Sequence, residues 1–398
     1  MSDDRFHLGA FTSFKPLDWR SAFSGENKHL WADGSLWVDM VTELERAHFD
    51  YVMFEDSVMV SDAYGGTSEA DLRYGMFAPK NDPLMLIPMI AHATSHIGLV
   101  TTGSTTFFPP YELARTISTL DGLTRGRSGW NIVTSSENRA AQNYGLPELP
   151  EHDDRYARAD DYVANVTRLF GSPEELGTMP SRQGKPVYCQ AGSSPRGRDF
   201  AAKHADTILV SAHGLPAMKA YRDDLRQRIE RAGRDPDSVK LLFVVMPTFG
   251  DTTAEAVAKK SRASAQVEIA LGALSAITEI DFSLFDLDAP VPTELTTNGH
   301  LGYLQEFMRM GESMTTLREL AQQWGISCLD LVGSHADVAD RMCEAMEFIG
   351  GDGFLIAGIG NRRYLSEVVD GLAPELVARG AMRTGYSSTL LAENLLEF

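Results

Sequence analysis

Eight short β-rich runs, each followed by a longer segment of helical period, constrain the fold of this chain more than anything else in it. The runs begin at Phe6, Tyr51, Ile97, Gly129, Val187, Thr207, Leu241 and Gly353. Helical stretches follow over residues 36–48, 83–95, 112–123, 154–170, 195–204, 217–232, 254–271 and 364–379. A loop rich in Trp and polar residues separates the first run from its helix. Repeated β-then-α units imply parallel strands joined by right-handed crossovers, and eight is the number that closes a barrel. An open doubly wound sheet would carry a glycine fingerprint after its first strand. Neither G-x-G-x-x-G nor a P-loop occurs. The expectation is a (β/α)8 TIM barrel forming a single domain over residues 1–398. An insertion before the eighth strand is expected at about residues 272–325, where the rhythm breaks.

Composition narrows the function class. Of 398 residues, 36 are Lys or Arg and 55 are Asp or Glu, a formal net charge of −19. That balance excludes nucleic acid and anionic membrane surfaces, which need Lys and Arg. Cys189, Cys328 and Cys343 stand far apart and form neither a disulfide framework nor a zinc pattern. There is no apolar run of membrane-spanning length, and the opening residues do not read as a signal peptide. A cytoplasmic setting is expected.

Barrel enzymes build their sites at the carboxyl ends of the strands. Here those ends carry Phe11, Asp56, residues 101–106, residues 131–136, residues 192–194 and Ser211, a rim of hydroxyls and amides with few charges. Few histidines lie near strand ends and no H-x-H or H-E-x-x-H occurs, so no metal site is expected. In Gln190-Ala-Gly-Ser-Ser-Pro-Arg-Gly-Arg198, Ser194 reads as an N-cap and Pro195 as a first helical residue. Free N–H groups and two hydroxyls there suit a phosphate, although an ordinary capped helix has the same pattern. Glu151-His-Asp-Asp-Arg-Tyr156 opens another helix with donors that suit an anion. Taken alone, it reads better as Asp153 capping the helix and Arg155 paired with a neighbouring acid. Gly126-Arg-Ser-Gly-Trp-Asn-Ile-Val-Thr-Ser135 is the most specific string, with Trp130 as an apolar wall and Asn131 as an amide for the polar edge of a flat ring.

These strings, together with residues 49–56, 104–115 and 118–127, occur in order along nearly the whole chain. In them the chain resembles the flavin-dependent monooxygenases of the bacterial luciferase superfamily. It is similar to the branch that includes nitrilotriacetate monooxygenase component A, dibenzothiophene-sulfone monooxygenase and long-chain alkane monooxygenase. The resemblance implies reduced FMN (FMNH2) as cofactor, delivered by a separate NAD(P)H:flavin reductase. It implies O2 and a small organic substrate, oxygenated through a flavin (hydro)peroxide. Phe11, Asp56, Thr102, Asn131 and Thr134 match positions around the isoalloxazine, and His152, Tyr156, Gly192, Ser193 and Ser194 match positions at the phosphate. Relatives that carry a histidine after Val-Thr-Ser have Ser136 here, so no general base is assigned. The stretch between Phe170 and Gln183 is shorter than in most of the branch. Homodimers and homotetramers are the expected assemblies. A deazaflavin-dependent hydride transferase and a catalytically silent flavin-binding relative are the alternatives.

Overall fold

A computed structural model of the chain describes residues 5–16, 30–263 and 267–398. The opening residues 1–4 and most of the loop after the first run, residues 17–29, lie outside the described residues. Eight parallel strands close into a barrel: His7–Ser13, Tyr51–Glu55, Gly98–Ser104, Ser128–Val133, Val187–Gln190, Thr207–Val210, Lys240–Val245 and Gly353–Ala357. The last strand pairs with both the first and the seventh, which completes the ring. All eight expected runs are strands. The chain is a TIM barrel.

Alternation along each strand divides the apolar residues between two layers. Tyr51, Met53, Val100, Val187, Leu242, Val244 and Leu355 fill the barrel interior. Leu391 and Leu395, from the short helix Leu391–Leu395, plug its floor. Outward residues such as Leu8, Val52, Trp130, Ile208 and Phe354 bury against the surrounding helices. At the amino ends of the strands, Asp50 accepts from His7 Nδ1 at 3.0 Å, Leu8 N at 2.8 Å and Arg383 Nη2 at 2.6 Å. His7 is therefore a structural residue at the opposite end of the barrel from the carboxyl ends of the strands.

Three elements differ from the sequence expectation. The helix expected over residues 254–271 is two segments, Thr253–Ala263 and Val267–Thr278, with residues 264–266 between them outside the described residues. The two segments have different partners: the first lies on a two-stranded ladder, Thr248–Phe249 with Val332–Gly333, and the second packs into the insertion. The helix His335–Ile349 was not anticipated, although Ser334 and Asp337 form a capping box and Gly350 ends it in the left-handed region at φ 98°. The last barrel helix widens by a turn over Glu367–Leu372 just before Pro374, which has no N–H to offer the preceding carbonyl.

The excursion after the seventh strand carries its own apolar cluster of Leu271, Leu274, Phe282, Leu304, Phe307, Leu317 and Leu320. Met308, Met310 and Met314 pack at its margin, where their adaptable side chains fill gaps.

Candidate active site

The third and fourth strands supply a bonded pair at the barrel mouth. Thr102 Oγ1 donates to Phe54 O at 2.9 Å, and Asn131 Nδ2 donates to Thr102 Oγ1 at 2.9 Å. Asn131 Oδ1 is buried with no partner. A buried amide oxygen left unpaired costs about 1–3 kcal/mol, a cost that a ligand N–H would recover. Phe11 packs at the top of the barrel interior. Asp56 and Thr102 line a small cavity with Ser104, Phe107, Ser135 and Glu137. Ser135 adopts φ 62°, and its hydroxyl meets Ser104 Oγ at 2.8 Å.

Two neighbouring carboxylates at the second strand are driven apart. Burial alone would raise the Glu55 carboxyl, but Lys80 beside it and the Ser13 hydroxyl hold it below its ordinary value. Lys80 is committed to Glu55, with Nζ at 2.9 and 3.1 Å from its oxygens and 2.8 Å from Ser57 Oγ. Burial then pushes the Asp56 carboxyl up to about 7; Lys80 pulls it down less, and the nearby charges of Glu55 and Asp82 add to the rise. One acid is ionised and its neighbour retains a proton near neutrality, the pattern that separates acid from base roles in enzyme sites.

The fifth strand leads into an anion-binding turn. Ser194 caps the helix Pro195–His204 and accepts from Gly197 N at 3.1 Å, as expected. Gly192 must be glycine: a Cβ there would strike the carbonyl of Gly197. Ser193 Oγ is buried and unpartnered. His152 Nε2 lies 3.3 Å from Ser194 Oγ, and its ring sits 5.1 Å from that of Tyr156. Burial raises the Tyr156 hydroxyl, and the nearby Thr134, Arg155 and Gln190 side chains oppose that rise. The structure brings all ten sequence-picked residues to one end of the barrel.

Other readings change. Trp130 is not a wall of the mouth: strand alternation turns it outward, where Nε1 donates to Gly103 O at 2.9 Å and the ring meets Tyr188 edge-on. Arg155 pairs with no acid. It is 2% accessible and donates to Pro150 O and to Asn298. Arg196 and Arg198 are paired with Asp160 and Asp224. Glu151, not Asp153, occupies the N-cap of the helix His152–Phe170.

Residues of the insertion went unread in the sequence. His300 caps the helix Leu301–Gly311, and burial pushes the Tyr303 hydroxyl up to about 12. The turn Asn298-Gly299 ahead of an apolar run was the available signal. Among the described residues no cluster of metal ligands occurs.

The family model described as luciferase-like monooxygenase matches residues 20–353. Dibenzothiophene-sulfone monooxygenase of Rhodococcus erythropolis is 31% identical over 412 residues, covering 91% of this chain and 89% of that one. Nitrilotriacetate monooxygenase component A of Aminobacter aminovorans is 30% identical, covering 95% and 92%. The crystal structure of a riboflavin lyase with modified FMN and riboflavin superposes with a TM-score of 0.88 at 27% identity, covering 99% of this chain and 96% of that one. With an eight-stranded barrel, an amide-and-hydroxyl mouth and these matches along nearly its whole length, the chain belongs to the luciferase-like monooxygenase family.

Proposed function

We propose that the protein is a two-component monooxygenase that takes reduced FMN from a separate NAD(P)H:flavin reductase and uses O2 to oxygenate a small organic substrate. The observation that carries this reading is the pair of buried, unpartnered polar atoms at the two ends of one site, Asn131 Oδ1 and Ser193 Oγ. They suit, respectively, the N–H edge of a flat heteroaromatic ring and a phosphate oxygen. FMN, when bound in reduced form, supplies the electrons that activate O2. The protein's own residues bind, orient and exclude water. Thr102 and Phe54 O fix the Asn131 amide so that its oxygen points to the ligand. Phe11 offers an apolar face, and Ser193, Ser194, Tyr156 and His152 hold the anionic end. Asp56, still carrying a proton near neutrality, is the group at the mouth able to give one up.

The strongly acidic chain favours an uncharged organic substrate over a polyanion. Exposed Met85, Met89, Tyr111 and Leu123, on the helices Pro83–Ala93 and Pro110–Thr124, support a symmetric assembly. A cytoplasmic setting agrees with free thiols at all three cysteines.

Equilibrium titration with FMN and FMNH2, followed by reductase-coupled oxygen uptake over a substrate panel, tests the reading. Failure to bind either flavin form would overturn it. Asn131→Ala removes both the bond to Thr102 and the unpaired oxygen. It is expected to weaken flavin binding about tenfold, at roughly 0.5–1.5 kcal/mol per hydrogen bond. Unchanged affinity in a fluorescence-quenching titration would remove Asn131 from the ring site.

A further inference from the structure

Three helices begin at one point beside the anion-binding turn: His152–Phe170, Pro195–His204 and, from the insertion, Leu301–Gly311. Their junction is tightly drawn. His152 reaches Ser194 at 3.3 Å, and Arg155 donates to Asn298 Oδ1 at 3.2 Å and to Asn298 O at 2.8 Å. Gly302, in the first turn of the insertion helix, lies so close to Ser193 that any Cβ there would collide with its side chain. Each helix start contributes the positive end of a dipole, although Leu301 N, Tyr303 N and Gly197 N are already bonded within the protein. Two polar atoms at the junction have no partner: Ser193 Oγ, which faces Gly302, and Nε of the buried Arg155. Helix ends alone do not define a binding site. Here they come with buried donors that nothing in the protein satisfies.

We propose that the insertion completes the anion site, with His300 and the first turn of Leu301–Gly311 closing over the phosphate-monoester end of the ligand and His300 donating to it as a neutral imidazole. The tautomer follows from the cap. His300 Nδ1 accepts from Tyr303 N at 3.2 Å, which places the ring proton on Nε2. Burial, with the neighbouring His152 and Arg155 opposing a second proton, lowers the imidazole to about 4, so it stays uncharged at neutral pH. The site then joins a barrel loop, a barrel helix and the insertion through one ligand. Its occupancy is coupled to the packing of the insertion on the barrel.

The name of the ligand rests on the flavin reading above; the coupling does not. Hydrogen exchange of the peptide spanning residues 299–304 would be followed in the full-length protein with FMN, riboflavin or inorganic phosphate. FMN and phosphate are expected to slow exchange there, and riboflavin is not. His300→Asn keeps a capping acceptor but lacks the ring N–H. It is expected to lose about tenfold in FMN affinity with riboflavin affinity unchanged. Exchange that responds to neither phosphate nor FMN would overturn the proposal, as would equal losses, or none, for the two flavins. Should His300→Asn fail to fold, the exchange result on the unaltered protein decides. Protection by phosphate without binding of either flavin would uphold the closed anion site and remove the flavin reading instead.

Discussion

Asp56→Asn is expected to make the protein more stable above pH 7 and scarcely alter it near pH 4. The folded carboxyl retains its proton up to about pH 7 because burial disfavours its charge. The unfolded carboxyl releases it near 3.9. Between those values the folded state binds the extra proton, so stability falls as pH rises through the window and stays lowered above it. Asparagine matches the neutral acid in shape and removes that dependence. With solvent reaching part of the side chain, the gain at pH 8 is about 2 kcal/mol. Thermal unfolding at pH 4.5 and pH 8 checks it, and an equal shift at both would show that Asp56 is not held protonated. Flavin affinity gives a second readout. If Asp56 borders the ring, the unaltered protein shows an inflection near pH 7 that the asparagine variant lacks. A residue that destabilises the fold at working pH yet sits at the mouth is best explained by its chemistry.

The largest loss of stability is expected from Arg127→Ala. This guanidinium is 1% accessible and faces no carboxylate in hydrogen-bond range. It donates instead to four carbonyls, Thr124 O at 2.8 Å, Ile97 O at 3.1 Å, Ala91 O at 3.0 Å and Thr94 O at 3.1 Å, and to Thr94 Oγ1 at 2.9 Å. It thereby ties the end of the helix Pro83–Ala93 to the turn before the fourth strand, where a cation also suits the negative end of the helix. Alanine would leave buried carbonyls unpaired and a void behind them, costing about 4 kcal/mol or more. Chemical denaturation is the measurement. A loss below about 1 kcal/mol would mean that water replaces the guanidinium without strain.

Arg127 also shows what the sequence did and did not disclose. It lies in the most specific string of the chain, read there as chemistry for a flat ring, yet it is Asn131 and Ser135 of that string that bring polar side chains to the mouth. Arg127 and Trp130 are scaffold. Specificity of a string and proximity to a ligand are separate properties, and period-two alternation was the clue that divided Trp130 from Asn131. The barrel itself was legible because strand and helix periods repeat locally eight times. The phosphate turn was legible because Ser194 and Pro195 are cap signals in adjacent positions. By contrast, Gly302 acquires meaning only through its close approach to Ser193, far back along the chain, and no local pattern encodes such a meeting. The split between Glu55 and Asp56 was equally hidden, because it depends on which of them Lys80 reaches.

The short ladder of Thr248–Phe249 with Val332–Gly333 bears on how the chain finds this structure. Thr248 N bonds Leu331 O at 2.8 Å and Gly250 N bonds Gly333 O at 3.2 Å, so the two ends of the excursion are held side by side. Before the barrel can close, its last strand must meet its first across all of the intervening chain. Loop entropy rises by about 0.6 kcal/mol for each doubling of length. Once this neck has formed, residues 250–331 drop out of that search, and the last βα unit assembles as though its connection were of ordinary length. Because the neck lies outside the eight barrel strands, a change in the excursion's length is absorbed beyond it and leaves the barrel's registration alone.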